Sequence, residues 1–215
     1  RRDLVDCDRA DLEAFLVARA EVGDKPRSRA RKLSALRTFM AWLLDRGHRE
    51  ADPTSRIEGA RGDQGLPVIL KVEEVERLLE APDPRRPEGI RDRAMLEIAY
   101  GSGLRVSELV GLRIGDLDMD RALLRVTGKG RRQRIVPTSQ TALERVETWL
   151  ASPRAELLRA ATRIRSDARA ALFISRRGAP LTRQGFWKLL KRYGRQVGLP
   201  DDLHPHTLRH CFASH

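Results

Sequence analysis

A mainly helical protein with one small antiparallel β-sheet, preceded by a smaller all-helical unit, is what this sequence predicts. Three observations carry that expectation. Apolar residues recur at helical spacing in most segments. A single pair of strand-like runs flanks the glycine-framed turn Gly128-Lys129-Gly130. Between two patterned regions lies a stretch, 59–67, with three glycines and no periodicity. The expected organisation is therefore a helical unit over 1–58, a linker over 59–67 and a larger mixed unit over 68–215.

In the first unit, Leu12, Phe15 and Leu16 recur at helical spacing from Asp8 to Arg19, behind a plausible Asp8 cap. A second helix is expected from Pro26 to Asp45, with Leu33, Leu36, Phe39, Met40, Leu43 and Leu44 as its core stripe and Gly47 as its stop. Arg27, Arg29, Arg31, Lys32 and Arg37 crowd the first half of that helix, where cations oppose the macrodipole. A phosphate backbone would explain their placement, and a solvated surface would also tolerate it.

In the second unit, helices are expected at about 73–80, 91–100, 105–112, 139–150, 154–162 and 182–197. Ala122–Thr127 and Arg134–Pro137 form the hairpin, with Leu172–Ser175 as a third strand. Phe186 and Trp187 read as core, because Leu189 and Leu190 complete an apolar face with them.

Composition narrows the function classes. The formal net charge is +12, and all but six of the 42 lysines and arginines are arginine. Such an excess points to a polyanionic partner, DNA or RNA. Cys7 and Cys211 are far apart and lack metal-ligand spacing, so a reduced, cytosolic setting is expected and no disulfide framework. No apolar run approaches the length of a membrane span.

Three segments hold the residue types that phosphate chemistry uses. Arg105 follows Gly101-Ser102-Gly103, where the preceding apolar helix must break, so its guanidinium is presented at the start of the next helix. Lys129 sits at a hairpin tip between two glycines, with Arg131, Arg132 and Arg134 behind it. Glycines allow close approach to a phosphate, and an ammonium can both contact the backbone and donate a proton to a leaving oxygen. The same segment also reads as a solvated basic turn. If Pro205 opens a helix, His206 and Arg209 share one face, placing a general acid or base beside a bidentate oxyanion clamp. Two arginines with proton donors and acceptors suffice for in-line attack on a phosphodiester, so no metal and no cofactor is expected. Singly, each residue has another use: Arg105 can pair with Glu108, and His206 can cap its helix. A rival metal site from His204, His206, His210 and His215 lacks a glutamate between the histidines and a supporting cysteine pair.

These segments, Gly101-Ser102-Gly103-Leu104-Arg105-Val106-Ser107-Glu108-Leu109, Gly128-Lys129-Gly130 with Arg134-Ile135-Val136-Pro137, and His206-Thr207-Leu208-Arg209-His210 with Phe212-Ala213, resemble in order and separation the motifs of the tyrosine recombinases of phage-integrase type. Asp92-Arg93-Ala94-Met95-Leu96 and Leu181-Thr182-Arg183-Gln184-Gly185-Phe186-Trp187 resemble the Xer branch in particular. The resemblance implies an N-terminal core-binding domain and a catalytic domain that clamp duplex DNA. It also implies cleavage and rejoining at a recombination site through a 3′-phosphotyrosyl link, in a homo- or hetero-tetrameric synapse of related protomers. By it Arg105 and Arg209 bind the scissile phosphate, His206 assists proton transfer and Lys129 protonates the 5′ leaving oxygen. A cytoplasmic, nucleoid-associated role in chromosome-dimer resolution is the expected setting, with a mobile-element integrase as the alternative.

The family's nucleophilic tyrosine and a later His or Trp lie beyond its His-x-x-Arg motif, and neither matches a residue here. Tyr100 and Tyr193 are both expected to be structural. The chain is thus expected to be a piece of a longer protein, incomplete in both domains, that binds DNA without cleaving it. Base reading is assigned to Arg183 and Gln184, which match guanine and adenine edges in the major groove. Lys188, Lys191 and Arg192 are assigned to phosphates, as are Arg29, Arg31 and Arg37 in the first unit and Arg131 and Arg132 on the hairpin.

Overall fold

The computed structural model describes residues 3–58, 69–128, 130 and 132–215. The stretch expected as a linker, 59–67, lies outside them. The chain divides into two compact units, Arg1–Leu66 and Pro67–His215.

The first unit is built on α1 (Arg9–Glu21) and α2 (Pro26–Asp45). The Asp8 carboxylate accepts from the Asp11 amide at 2.9 Å, and the Asp11 carboxylate accepts from the Asp8 amide at 3.1 Å, so two orphan donors at the start of α1 are satisfied reciprocally. Proline opens α2, and Gly47 at φ +70° follows it. Leu12, Leu33, Met40, Leu43 and Ile57 form a small core, with Leu16, Leu36 and Phe39 at its edge. Phe15 departs from the expected stripe and is 43% exposed, because two helices cannot cover the full apolar arc of each. Asp24 accepts from Arg19 at 3.0 Å and also from Lys32, and the hydrogen bonds from these two cations hold its carboxyl down at about 2.

The second unit contains α3 (Val72–Glu80), α4 (Pro87–Gly101), α5 (Val106–Gly111), strands β1 (Leu117–Asp118), β2 (Leu123–Thr127) and β3 (Gln133–Pro137), then α6 (Gln140–Ala151), α7 (Pro153–Arg159), α8 (Arg183–Gln196) and α9 (Pro205–Ser214). The sheet is antiparallel in the order β1-β2-β3, with Leu124 opposite both Leu117 and Val136. Along β2 the side chains alternate: Leu124 and Val126 are buried, whereas Arg125 and Thr127 are exposed.

The core is organised around α4, which packs against α3, α5, α6, α7 and α9. Ala94, Met95, Leu96 and Ile98 are fully buried. A helix covered from so many directions is apolar around most of its circumference. Its buried charge is neutralised locally. The Asp92 carboxylate accepts from Arg91 at 2.6 and 2.8 Å, from Arg192 at 2.9 Å and from the Tyr193 hydroxyl at 2.9 Å. Arg91 also donates to the Ile174 carbonyl at 2.8 Å, so one network ties α4, α8 and the 172–175 segment together.

Two sequence expectations are corrected here. Leu172–Ser175 is not a strand of the sheet; β1 takes that place, and residues near 172–175 make only isolated bridges, Arg113 with Ala171 and Ile174 with Pro180. Leu172, Phe173 and Ile174 are all buried, and their carbonyls are taken by the Trp149 indole, the Leu181 amide and Arg91, which leaves no ladder to join. Phe186 is core as expected, but Trp187 is 46% exposed, with the Lys191 ammonium 5.6 Å from its ring centroid. The buried stripe of α8 runs through Phe186, Leu189, Leu190 and Tyr193, and position 187 falls outside it. Arg192, on the same helix, donates to Asp92 through one Nη and stacks on Tyr193.

The Asp92 network yields a stability prediction. Replacing Asp92 with Ala strands the buried Arg91 guanidinium and leaves the buried Tyr193 hydroxyl without its acceptor, and should lower the unfolding free energy by about 3–5 kcal/mol in urea denaturation. A loss under about 1 kcal/mol, the range of surface pairs, would show that the network contributes little.

Candidate active site

Arg105 stands at the N-cap of α5 in extended conformation. It is held there by Glu108, whose Oε2 accepts from the Arg105 amide at 2.8 Å and whose Oε1 accepts from the Arg105 guanidinium at 3.2 Å. The same carboxylate receives two bonds from Arg134 on β3, at 2.7 and 3.0 Å. Glu108 is buried, whereas the guanidinium of Arg105 stays more than half exposed. Hydrogen bonds from Arg134, reinforced by those from Arg105, hold the Glu108 carboxyl at about 2. The pairing of Arg105 with Glu108 and a functional placement of Arg105 are therefore compatible: the carboxylate fixes the stem and leaves the charge accessible.

The β2–β3 hairpin is anchored beside this pair. The Gly128 amide donates to the Arg132 carbonyl at 2.8 Å, and a Cβ at Gly128 would lie within 4 Å of Arg134 Nη1 and Glu108 Oε1. Lys129 and Arg131 lie outside the described residues. Arg132, next to them, is exposed.

Proline opens α9, as the sequence predicts, and His206 and Arg209 fall one turn apart on it. The cap of α9 is His204, whose Nδ1 accepts from the Thr207 amide at 3.2 Å, so His206 is not needed for capping. Arg209 donates to the Gly103 carbonyl, two residues before Arg105. Gly103 has φ +54°, and a Cβ there would meet the Phe212 ring of α9 at 2.4 Å. Glycine is thus required both by conformation and by the close seating of α9 on this turn. Arg105, His206 and Arg209 meet in one electropositive patch. Partial burial, followed by the charges of His204, His210, Arg209 and Arg105, pushes the His206 imidazole below its ordinary value of 6.5. At neutral pH it is an uncharged ring beside two guanidiniums, able to accept a proton or a hydrogen bond.

Neither tyrosine shares this patch's electrostatics. The Tyr193 hydroxyl is buried, and burial followed by the Asp92 charge pushes it up to about 12. Tyr100 bonds to His215 Nδ1 at 2.9 Å, and it too is pushed up, by burial and by Cys211, Glu76 and Glu97. Among the described residues no group of three His, Cys, Asp or Glu is placed to hold a metal ion, and no helix is long and apolar enough to cross a membrane.

The other predicted contacts fall on two helices. Arg183, Gln184 and Lys188 are exposed on α8, with Lys191 partly covered. Thr182 caps α8 by accepting from the Gly185 amide at 3.0 Å, and the helix packs against α5. On α2, Arg31 is exposed, Arg29 is half-buried, and Arg37 donates to the Ile57 carbonyl at 2.7 Å. Sequence reasoning missed the bridging role of Glu108. The available signal was a Glu three residues after the cap position, the spacing at which a carboxylate reaches back to the cap amide.

Comparison with known proteins identifies the family of this chain. The family model described as "Phage integrase family" matches residues 69–215, and "Phage integrase, N-terminal SAM-like domain" matches residues 1–47. The chain belongs to the phage integrase family. It is 40% identical over 208 residues to the tyrosine recombinase XerD of Listeria monocytogenes, covering 97% of this chain and 68% of that protein. It is 42% identical over 212 residues to XerD of Shewanella oneidensis, covering 99% of this chain and 69% of the relative. In fold it is similar to a crystal structure of the XerH site-specific recombinase bound to a palindromic difH substrate, with a TM-score of 0.74 at 22% identity, over 97% of this chain and 61% of the other.

Two predictions follow from the local electrostatics. The Glu108 carboxylate stabilises the fold fully above its unfolded value of about 4.5, and that contribution disappears as pH falls towards about 2. Glu108→Gln should remove this part of the acid dependence and cost about 1–3 kcal/mol at pH 7 by chemical denaturation. For His206, NMR titration of the imidazole should give a midpoint below 6.5, moving upward in Arg209→Gln. Stability linked to this ring is complete above about 6.5 and declines as pH falls through it, because the unfolded chain takes up the proton first.

Proposed function

We propose that this chain is the DNA-gripping and phosphate-handling part of a site-specific tyrosine recombinase of Xer type, acting in a synapse of related protomers on a double-stranded recombination site. The observation that supports it most is the meeting of Arg105, Arg209 and an uncharged His206 around one exposed patch. Residues 1–58 serve as the core-binding domain, 59–67 as its linker and 68–215 as the catalytic domain.

In the reaction a tyrosine hydroxyl attacks the scissile phosphorus, so that an O–P bond to the tyrosine forms as the bond to the 5′ oxygen breaks. Arg105 and Arg209 hold the two nonbridging oxygens and stabilise the charge that builds on them, a preorganised arrangement that needs no rearrangement at the moment of reaction. His206 takes or shares the proton of the attacking hydroxyl. Lys129, framed by Gly128 and Gly130 in the sequence, supplies a proton to the departing 5′ oxygen. The reverse steps, with the 5′ hydroxyl of a partner strand as nucleophile, restore a phosphodiester. Energy is conserved in the phosphotyrosyl link, so the residues named suffice without a metal or cofactor.

Arg183 and Gln184 read base edges from the start of α8, with Lys188, Lys191, Arg131 and Arg132 on the backbone. Arg29, Arg31 and Arg37 hold the backbone on the core-binding side. The attacking tyrosine is neither Tyr100 nor Tyr193, since both hydroxyls are bonded within the fold and pushed up in pKa. These 215 residues alone therefore grip DNA without forming a covalent link. In a cell the role that fits is chromosome-dimer resolution in the cytoplasm.

A nicked suicide duplex tests both halves. The chain should bind it with a steep salt dependence and give no covalent adduct, whereas a longer form carrying the family's tyrosine should give one. An adduct to the present chain that is lost on replacing Tyr100 or Tyr193 would overturn the assignment. In the longer form, Lys129→Ala should slow cleavage by about 10²–10⁴-fold with site binding nearly unchanged. An equal loss of binding would demote Lys129 to a phosphate contact.

A further inference from the structure

A cavity of about 370 Å³ opens between the start of α4 and the second half of α8, with Arg86, Arg91, Arg176, Arg192, Tyr193 and Gln196 in its wall. Arg105 follows the other end of α4, and the 15 residues of that helix span about 22 Å. We infer that this cavity is a binding site for a small phosphate monoester, with the phosphate group held by Arg86, Arg176 and Arg192.

Charge accounting leads to this ligand. Asp83 and Glu88 also line the cavity, but each is already engaged. Asp83 accepts from the Arg85 amide at 3.0 Å and from its guanidinium at 3.2 Å. Glu88 pairs with Arg176 at 2.9 Å. Asp92, behind the wall, is shared by Arg91 and Arg192. With Arg85, outside the wall, spent on Asp83, the four guanidiniums of the wall stand against Glu88 and Asp92, and the Arg86 side chain makes no hydrogen bond among the described residues and acts on Asp83 only through its field. Two positive charges remain, matching a dianion.

The donors fit as well as the charge. Arg176 uses its Nε on Glu88, and Arg192 uses one Nη on Asp92, which leaves N–H groups of both guanidiniums for the cavity. Planar forks of this kind pair with two oxygens of a tetrahedral oxyanion at once. Arg91 is excluded from the clamp, because its donors go to Asp92 and the Ile174 carbonyl. The volume lies at the lower end of the roughly 300–1,000 Å³ typical of small-molecule sites, which leaves room for a substituent beyond the phosphate. The lining is more polar than apolar, which favours a ligand held by charge and hydrogen bonds. The site is charged enough to concentrate anions and rigid enough, through Asp92 and Tyr193, to present a fixed geometry.

The test is an amide NMR titration of the full chain, following the Gly89 backbone and Gln196 side-chain signals, with inorganic phosphate, adenosine monophosphate and chloride at matched ionic strength. Adenosine monophosphate should produce saturable shifts at both reporters that chloride does not. Arg86→Ser and Arg176→Ser, both at exposed side chains, should weaken that binding at least tenfold while the thermal midpoint stays near that of the parent. Saturation by inorganic phosphate as tight as by the monophosphate would overturn the monoester and reduce the site to one for the bare ion. Equal shifts with chloride, an equal loss in Arg121→Ser on the β1–β2 turn, or reporters that respond to duplex DNA but to neither phosphate would overturn the site itself.

Discussion

Burial of α4 on nearly every side is the constraint on which the second unit depends. Such a helix presents polar groups to its neighbours at few places, and its two ends are the ones that set the position of other elements. At the entry, Asp92 gathers Arg91, Arg192 and Tyr193 and so brings α8 against the core. At the exit, the chain must break before Arg105, and Gly103 accomplishes the break in a conformation that residues with a Cβ rarely adopt. The rigidity of the apolar middle is what makes both ends positional devices.

The exit end is built from cations that repel one another, and a buried carboxylate makes this tolerable. Glu108 neutralises part of the charge of Arg105 and Arg134 while leaving the Arg105 guanidinium open. Across the turn, Arg209 spends a donor on the Gly103 carbonyl, which fixes its stem in the same way. Both guanidiniums are thus oriented by bonds to the protein before any anion arrives. Burial first, and then the neighbouring positive charges, push the His206 imidazole below its ordinary value beside the same two guanidiniums.

Most helices were legible in the sequence because their apolar stripes are regular and their caps are explicit: Pro26, Ser139, Thr182 and Pro205 mark starts that the structure keeps. The convergence of Arg105, His206 and Arg209 was legible only through motif resemblance, since their contact spans about a hundred residues. Three features escaped. The run Leu172–Phe173–Ile174 has strand composition, yet its carbonyls answer to side chains of Trp149 and Arg91 that no local pattern reveals. Trp187 sits one position off the buried stripe, where its hydrophobicity is misleading and its place on the helix decides. The shared use of Glu108 by Arg134 depends on the hairpin folding back onto α5, a tertiary fact.

The seating of Phe212 over Gly103 makes the meeting of Arg105 and Arg209 sensitive to a residue that carries no charge. A side chain at that turn must adopt a strained positive φ and push aside the Phe212 ring of the helix that carries Arg209. Families that share this turn are therefore expected to tolerate variation in the cations' surroundings more readily than the gain of a single methyl group at the hinge between them.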